Sequence, residues 1–467
     1  MFKNSIKIGP TLLSLILILL VLSLFSVNPL PTFCAIVFVP IAAKLLWKKG
    51  EVPILFVGIL LQWVQICIKI LYASVIFVPF ENLFSNPYQI KPAFYFSLTA
   101  LLVISLGINL ATRKSKIISF GLLESKSNEY DKKKIMFTYL CSIILYPLLL
   151  GVAGRFGGLQ QLIIKLLDLK WSIFVLFFLV TFKDASQMKQ KFLLIVSAEI
   201  VLSFTGYFSA FKEFFIIGFI LYLFINEKLT KKEYSFMLFA GVILFNMLVV
   251  WQFIKPDYRS YLSGGEQAQI VSVSRNDALT KAFELGNAIN QDKYQDAVTA
   301  LIDRISYIDI FSASISYVPI SRPHTHGRLW LDAIKRVLMP RLFFPGKTAI
   351  NDSEKTMMYT GLGFAGNEQG TSISMGYVAE TYVDFGFPMM LLPLFLFGLL
   401  IGFMFKYIIN HSYNDIWGIC LVIPLFFQIS TFEFALDKIV GSLITFFIIY
   451  LLINKFLAKR IDQYIRQ

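Results

Sequence analysis

Long apolar runs separated by short charged connectors set the plan of this chain. Twelve runs approach the roughly 20 residues a helix needs to cross a bilayer. They lie at about 8–26, 31–47, 53–79, 92–112, 135–153, 171–182, 192–209, 213–226, 234–254, 387–406, 416–432 and 438–454. The sixth and eighth are short. No A-x-A-like cleavage site follows the first, which is therefore expected to remain as an anchor. A polar stretch, 255–386, separates the ninth run from the tenth. Within it, Asp277–Ile289 and Tyr294–Ile310 carry apolar residues at helical spacing (Val298, Leu301, Ile302, Ile305 and Ile308 in the second), which predicts two amphipathic helices. Gly327–Leu338 reads as a third, stopped by Pro340. Its Trp330, Ile334 and Leu338 suit a membrane surface while Lys335 and Arg336 point elsewhere. Gly361–Gly376, with glycine also at 363, 366 and 370, reads as a flexible loop rather than a nucleotide cradle. The expected fold is an all-α polytopic membrane protein of about twelve transmembrane helices with one large, mostly helical extracytoplasmic loop. Helices one to nine occupy 1–254, the loop 255–386, and helices ten to twelve with a cytoplasmic tail 387–467.

Composition agrees with the pattern. The 467 residues are 57% hydrophobic and 15% charged, against about 25% charged in soluble domains. The formal net charge of +14 looks at first like a nucleic-acid signal, but its placement argues otherwise. With the N-terminus inside, twenty-three lysines and arginines fall at inner ends and loops, and six fall in the short outer loops: Lys91, Arg155, Lys165, Lys170, Lys212 and Lys438. That asymmetry puts both termini in the cytoplasm and needs no nucleic-acid partner. The four cysteines sit in apolar runs, form no CxxC pair and are expected to pack.

Charge is segregated within the polar stretch. Residues 255–319 carry six basic and eight acidic groups, 320–350 six and one, and 351–386 one and five. The basic strip holds Arg322, Arg328, Lys335, Arg336, Arg341 and Lys347 beside His324 and His326. Such a density of cationic donors and imidazoles next to a bilayer suits an anionic lipid headgroup, and carboxylates on either flank suit a hydroxylated partner. Ionisable groups inside the apolar runs are costly and tend to face protein interior. Lys69, Glu199, Lys212 and Glu213 are the ones to follow, and Glu199 is the partner the sequence offers Lys69. Glu433, Asp437 and Lys438 form the last outer turn, which would serve equally as a solvated cap.

Two segments resemble the O-antigen and oligosaccharide repeat-unit polymerases of the Wzy type. Met339-Pro340-Arg341-Leu342-Phe343-Phe344-Pro345-Gly346-Lys347 is similar to that family's P-R-x-x-x-P-x-K segment. The run from Thr371 to Gly386, with Gly376, Glu380, Tyr382, Phe385 and Gly386, is similar to its G-x-x-x-E-x-Y-x-x-F-G run leading into a membrane span. The sharp likeness is confined to these segments and otherwise rests on topology. The resemblance implies a membrane glycosyltransferase of the bacterial cytoplasmic membrane that works without metal or other cofactor. Undecaprenyl-diphosphate-linked oligosaccharides would be both donor and acceptor, undecaprenyl diphosphate would be released, and a chain-length regulator would be a partner. An O-antigen ligase uses the same donor and a similar layout. A lipid-linked glycan flippase is the rival from another class, but no half-repeat of the kind transporters show is visible.

A diphosphate leaving group calls for cations, and arginine binds phosphate oxygens with two parallel donors. Arg328 and Arg341 are the first candidates, followed by Arg322, Lys347, Arg259, Arg155 and Lys212. An isolated surface arginine would equally bind lipid phosphate or pair with a carboxylate. The acceptor hydroxyl needs a base, for which His326 is the first candidate. His324 and His326 share a face if extended; HxH also suits a metal, but no clear third ligand accompanies it. Glu380 and Asp384, four apart, fall on one helix face as acid/base candidates, or as caps paired with a nearby cation. Tyr382 and His324 are candidates for glycan contact. No D-x-D and no G-x-x-x-x-G-K-[ST] motif is present, so a nucleotide-bound donor is not expected.

Overall fold

The computed structural model describes residues 9–84, 89–153, 160–182, 187–206, 211–226, 230–265, 271–339, 344, 346–347, 351–363 and 372–466. Among these, every extended regular element is a helix. The first part of the chain folds as α1 (Pro10–Leu24), α2 (Pro29–Leu46), α3 (Ile54–Val75), α4 (Ile90–Thr112), α5 (Phe120–Ser127), α6 (Lys132–Ala153), α7 (Gln160–Leu167), α8 (Leu169–Thr181), α9 (Gln187–Ser203), α10 (Phe211–Ile225) and α11 (Lys231–Leu262). The polar stretch supplies α12 (Arg275–Asn287), α13 (Gln291–Ile305), α14 (Ile308–Tyr317), α15 (Arg328–Leu338), α16 (Asp352–Thr360) and α17 (Tyr377–Phe385). The chain ends with α18 (Leu391–His411), α19 (Asp415–Val422), α20 (Phe426–Ile429), α21 (Leu436–Phe456) and α22 (Ala458–Ile465).

Seven of the described helices, α2, α3, α4, α6, α11, α18 and α21, are long and apolar enough to cross a membrane. The other five expected spans coincide with shorter helices: α1, α8, α9, α10 and the α19–α20 pair. The first four have 13 to 17 described residues, a rise of roughly 20–26 Å against a hydrocarbon layer of about 30 Å. Between α19 and α20 the chain tightens into a 3-10 turn at Ile423–Leu425, where Pro424 lacks the amide a helix needs.

The tightest contact in the bundle joins α4 to α18, and glycine makes it possible. A β-carbon at Gly398 would lie 2.3 Å from the Ile104 carbonyl oxygen, one at Gly107 2.4 Å from that of Phe395, and one at Gly402 2.7 Å from that of Ile108. Small residues four apart let two backbones approach in this way where no water drives association. Where the chain breaks between α20 and α21, two α3 side chains replace the lost helical partners. Gln62 Nε2 donates to Ile429 O (2.8 Å) and Gln65 Nε2 to Ser430 O (3.0 Å), while Gln65 Oε1 accepts from Phe432 N (3.0 Å). The buried Tyr377 hydroxyl completes the clamp by donating to Gln62 Oε1 at 2.7 Å.

Some expectations shift here. The helix of the ninth span does not end at 254: α11 continues through Pro256 to Leu262, with α12 packed on Trp251, Ile254, Tyr258 and Leu262 and α13 on Leu248, Val249 and Phe253. The helix expected over Tyr294–Ile310 divides into α13 and α14. The break comes because the Tyr307 amide donates to Gln65 O (2.9 Å) and its buried hydroxyl to Ser374 O, so the chain plunges onto α3. Lys69 does not meet Glu199. It pairs with Asp303 (2.9 Å) and Asp309 (3.4 Å) over the Phe84 ring, while Glu199 takes Lys170 and the Tyr139 hydroxyl. Both lysines thus find carboxylates nearer in space than the sequence pairing offers.

Candidate functional site

Helices α14 to α17 cover the end of the bundle formed by the beginnings of α18 and α21, and a reciprocal cap holds α15 on α17. The first amides of α15 have no partner inside their own helix, nor do the last carbonyls of α17. Asp384, buried in α17, accepts from Leu329 N (3.0 Å), Trp330 N (2.9 Å) and the Thr325 hydroxyl. In return Thr325 N donates to Val383 O (3.1 Å) and His326 N to Asp384 O (2.9 Å). Carboxylates are favoured at helix N-termini, so Asp384 is well suited to this structural work.

The same joint separates the two histidines. His326 adopts φ +51° and Gly327 φ +88°, so the segment turns instead of running extended. His324 lies half-buried, its Nδ1 3.2 Å from Val383 O and its ring edge-on to Tyr382. A β-carbon on Gly386 would meet that ring at 2.9 Å. His326 is exposed. Tyr382 is buried among Phe96, Phe311 and His324 and donates to Val318 O (3.2 Å), so it packs in the core and has no open ring face to offer a sugar.

The cations expected around a diphosphate fall into three groups. Arg322 and Arg328 are exposed beside His326, and both lie close enough to Tyr359 to oppose the rise that burial causes in its hydroxyl's pKa. Arg328 Nε is 3.8 Å from Asp332, one turn along the helix. Toward the other end of α15, Lys347 Nζ donates to Arg336 O and to Met339 O (3.0 Å), capping the helix C-terminus. Lys347 lines a cleft of about 500 Å³ with Asp332, Lys335, Arg336, Met339, Phe344 and Gly346. The third group is separate: Lys212, Arg259 and Arg304 raise the positive potential at Lys255, and Arg304 bonds Glu433 at 2.9 Å. Arg155 and Arg341 lie outside the described residues, as do Pro340 and Pro345 of the first resemblance segment and Thr371 of the second.

Glu380 is fully buried, and its Oε2 accepts from Leu436 N (3.1 Å) at the start of α21. Its Oε1 is 2.8 Å from Lys355 Nζ. Lys355 is 3.7 Å from Asp437 Oδ1, and Asp437 Oδ2 is 3.8 Å from Arg336 Nε at the cleft. A chain of alternating charge therefore runs from a sealed acid to a cleft-lining arginine. Burial pushes the Glu380 carboxyl up to about 7, with Lys355 opposing and Asp437 reinforcing the rise. Burial works against charge on Lys355, but Glu380, Asp437 and Asp352 hold its ammonium above the usual lysine range. Sequence reasoning missed Lys355, Asp437 and Tyr359 as members of this site. The available signal was that Lys355 is the lone base among five acids in 351–386. Among the described residues no group of three His, Cys, Asp or Glu is placed to hold a metal ion.

One family model spans most of the chain, matching residues 68–459. The chain belongs to the family described as Domain of unknown function (DUF8712). No curated protein and no solved structure matches it. Both ends of α15, the Glu380 chain and the glycine contact between α4 and α18 fall within the span shared with the DUF8712 family.

Proposed function

We propose that this protein is a glycan polymerase that joins undecaprenyl-diphosphate-linked oligosaccharide repeat units at the outer face of a bacterial cytoplasmic membrane. In this reading all twelve apolar runs cross the membrane, both termini are cytoplasmic, and the stretch 255–386 is the extracytoplasmic cap. The supporting observation is the joint between α15 and α17, which sets Arg322, Arg328 and the exposed His326 together at one end of an apolar bundle. Arg322 and Arg328 hold the donor diphosphate, and His326 takes the proton from the acceptor hydroxyl. The new bond forms between that oxygen and the donor's anomeric carbon. The bond from that carbon to the phosphate oxygen breaks, and its electron pair leaves with the lipid diphosphate. Removing one preorganised donor of this kind costs about 10²–10³-fold in rate. Glu380 and Asp384, buried and engaged, support the site from behind.

Glycan analysis of a deletion strain tests the reading. Loss of a polymerase leaves single repeat units attached, loss of a ligase leaves long chains unattached, and loss of a flippase leaves neither outside. Arg322→Ala with Arg328→Ala should reduce the product to single units while the protein stays in the membrane. Full-length polymer from that double variant would overturn the assignment of the site.

A further inference from the structure

The cleft toward the C-terminal end of α15 is not explained by the transfer site. Lys335 lies seven residues beyond Arg328, roughly 10 Å along a helix at 1.5 Å per residue, which separates the cleft from the cations beside His326. Its lining is chemically divided. Lys335, Arg336 and Lys347 provide three cations against the single acid Asp332, whose carboxylate already faces Arg328. Asp437 steadies Arg336 from beneath at 3.8 Å, and Lys347 is anchored by two main-chain carbonyls. Two of the three cationic side chains are thus held in place, with Lys335 exposed beside them. On the open side, Leu338 is 73% exposed, Met339 42% and Phe344 43%. Ile334 is exposed one turn earlier, and Val337 behind them approaches Gly441 of α21, a helix long and apolar enough to cross a membrane. Anchored cations with an apolar rim, set against a membrane helix, match a molecule whose charged group is joined to a hydrocarbon chain.

We propose that this cleft binds the phosphate headgroup of a membrane lipid, with Lys335, Arg336 and Lys347 on the phosphate and Leu338, Met339 and Phe344 along the first part of the chain. This is a site additional to the one for transfer, and it does not depend on glycan synthesis. It also accounts for an α15 that exposes leucine and isoleucine beside lysine: both parts face the same ligand.

Calorimetric titration of the purified full-length protein in a neutral detergent tests it, using dihexanoyl phosphatidic acid, inorganic phosphate and dihexanoyl phosphatidylcholine as probes. Phosphatidic acid should bind saturably and at least roughly tenfold more tightly than either of the others. Lys335→Gln with Lys347→Gln, which leaves Arg336 and its contact with Asp437 in place, should weaken that binding by roughly tenfold. Arg322→Ala, which leaves Arg328 on Asp332, should leave it unchanged, which separates this site from the transfer site. Equal binding of inorganic phosphate would overturn the lipid assignment, and equal binding of phosphatidylcholine would overturn the role of the cations. Undiminished binding by the Lys335/Lys347 variant would place the ligand elsewhere and end the proposal. If these results hold while the Arg322/Arg328 variant still makes polymer, the proposed reaction fails and the lipid site stands.

Discussion

Helix α4 meets α18 backbone to backbone, whereas the cap formed by α13 to α17 joins the bundle through apolar side chains of the shared core together with a set of ion pairs. The first contact rests on three glycines whose β-carbons have nowhere to go. The second combines buried side chains such as Phe311 and Tyr382 with the pairs of Lys69 with Asp303 and Asp309, Arg304 with Glu433, Lys355 with Asp437, and Lys438 with Asp352. Close packing tolerates no change of volume and is indifferent to pH and salt. Ion pairs respond to both, and the exposed ones are worth little each. The bundle is therefore a fixed frame, and the cap is a seat of which only the ionic share of the hold varies with solvent conditions.

The sharpest way to break this contrast is Gly398→Val. Its side chain would meet the Ile104 carbonyl, and overpacking of this kind costs about 3 kcal/mol or more. Folded, monodisperse protein should disappear from size-exclusion profiles after extraction; an intact profile would refute the fixed frame. Asp384→Ala comes next. It strips two half-buried amides and a hydroxyl of their acceptor at a cost of about 2 kcal/mol. Protease should then cut within 322–338 while the bundle stays resistant, and equal resistance in both forms would count against the reciprocal cap.

Glu380 gives a gentler test. Its carboxyl titrates near 7 in the folded protein and near 4.5 when unfolded, so folding takes up a proton between these values. Stability from this group is therefore greatest at low pH, falls as pH rises from about 4.5 to 7, and is level above that. Each tenfold difference in proton affinity between the folded and unfolded chain is worth about 1.4 kcal/mol. Glu380→Gln should flatten the melting temperature across pH 5 to 8 relative to the unaltered protein. Parallel curves would mean that the acid does not titrate there. The smallest expected change is in Arg328→Ala, whose exposed pairing with Asp332 is worth under about 0.5 kcal/mol. Its melting point should stay put although product length collapses.

The two regions also differ in how far they can be read from the chain alone. Apolar length marks the seven long spans and the amphipathic pattern of α15, because both depend on residues close in sequence. The caps and pairs do not. Asp384 serves a helix that begins more than fifty residues earlier, and Lys355 finds its acid in α17 and its second in α21. The Lys69–Glu199 pairing suggested by the sequence gives way to Asp303 and Asp309 because the break at Tyr307 carries those acids down onto α3. Sequence spacing reports helical neighbours; it carries no information about which loop descends onto which helix.

Helix α11 runs unbroken for 32 residues, about 48 Å at 1.5 Å per residue. Its last turns carry α12, and the turns before them, at Leu248, Val249 and Phe253, carry α13, so this pair is mounted on a mast long and apolar enough to cross a membrane. A lean of only 5° at the foot would swing its tip by about 4 Å. Because Arg304 and Asp303 sit on α13, such a sway would tug at Glu433 and Lys69, a mechanical line from one long helix to the seat of the cap.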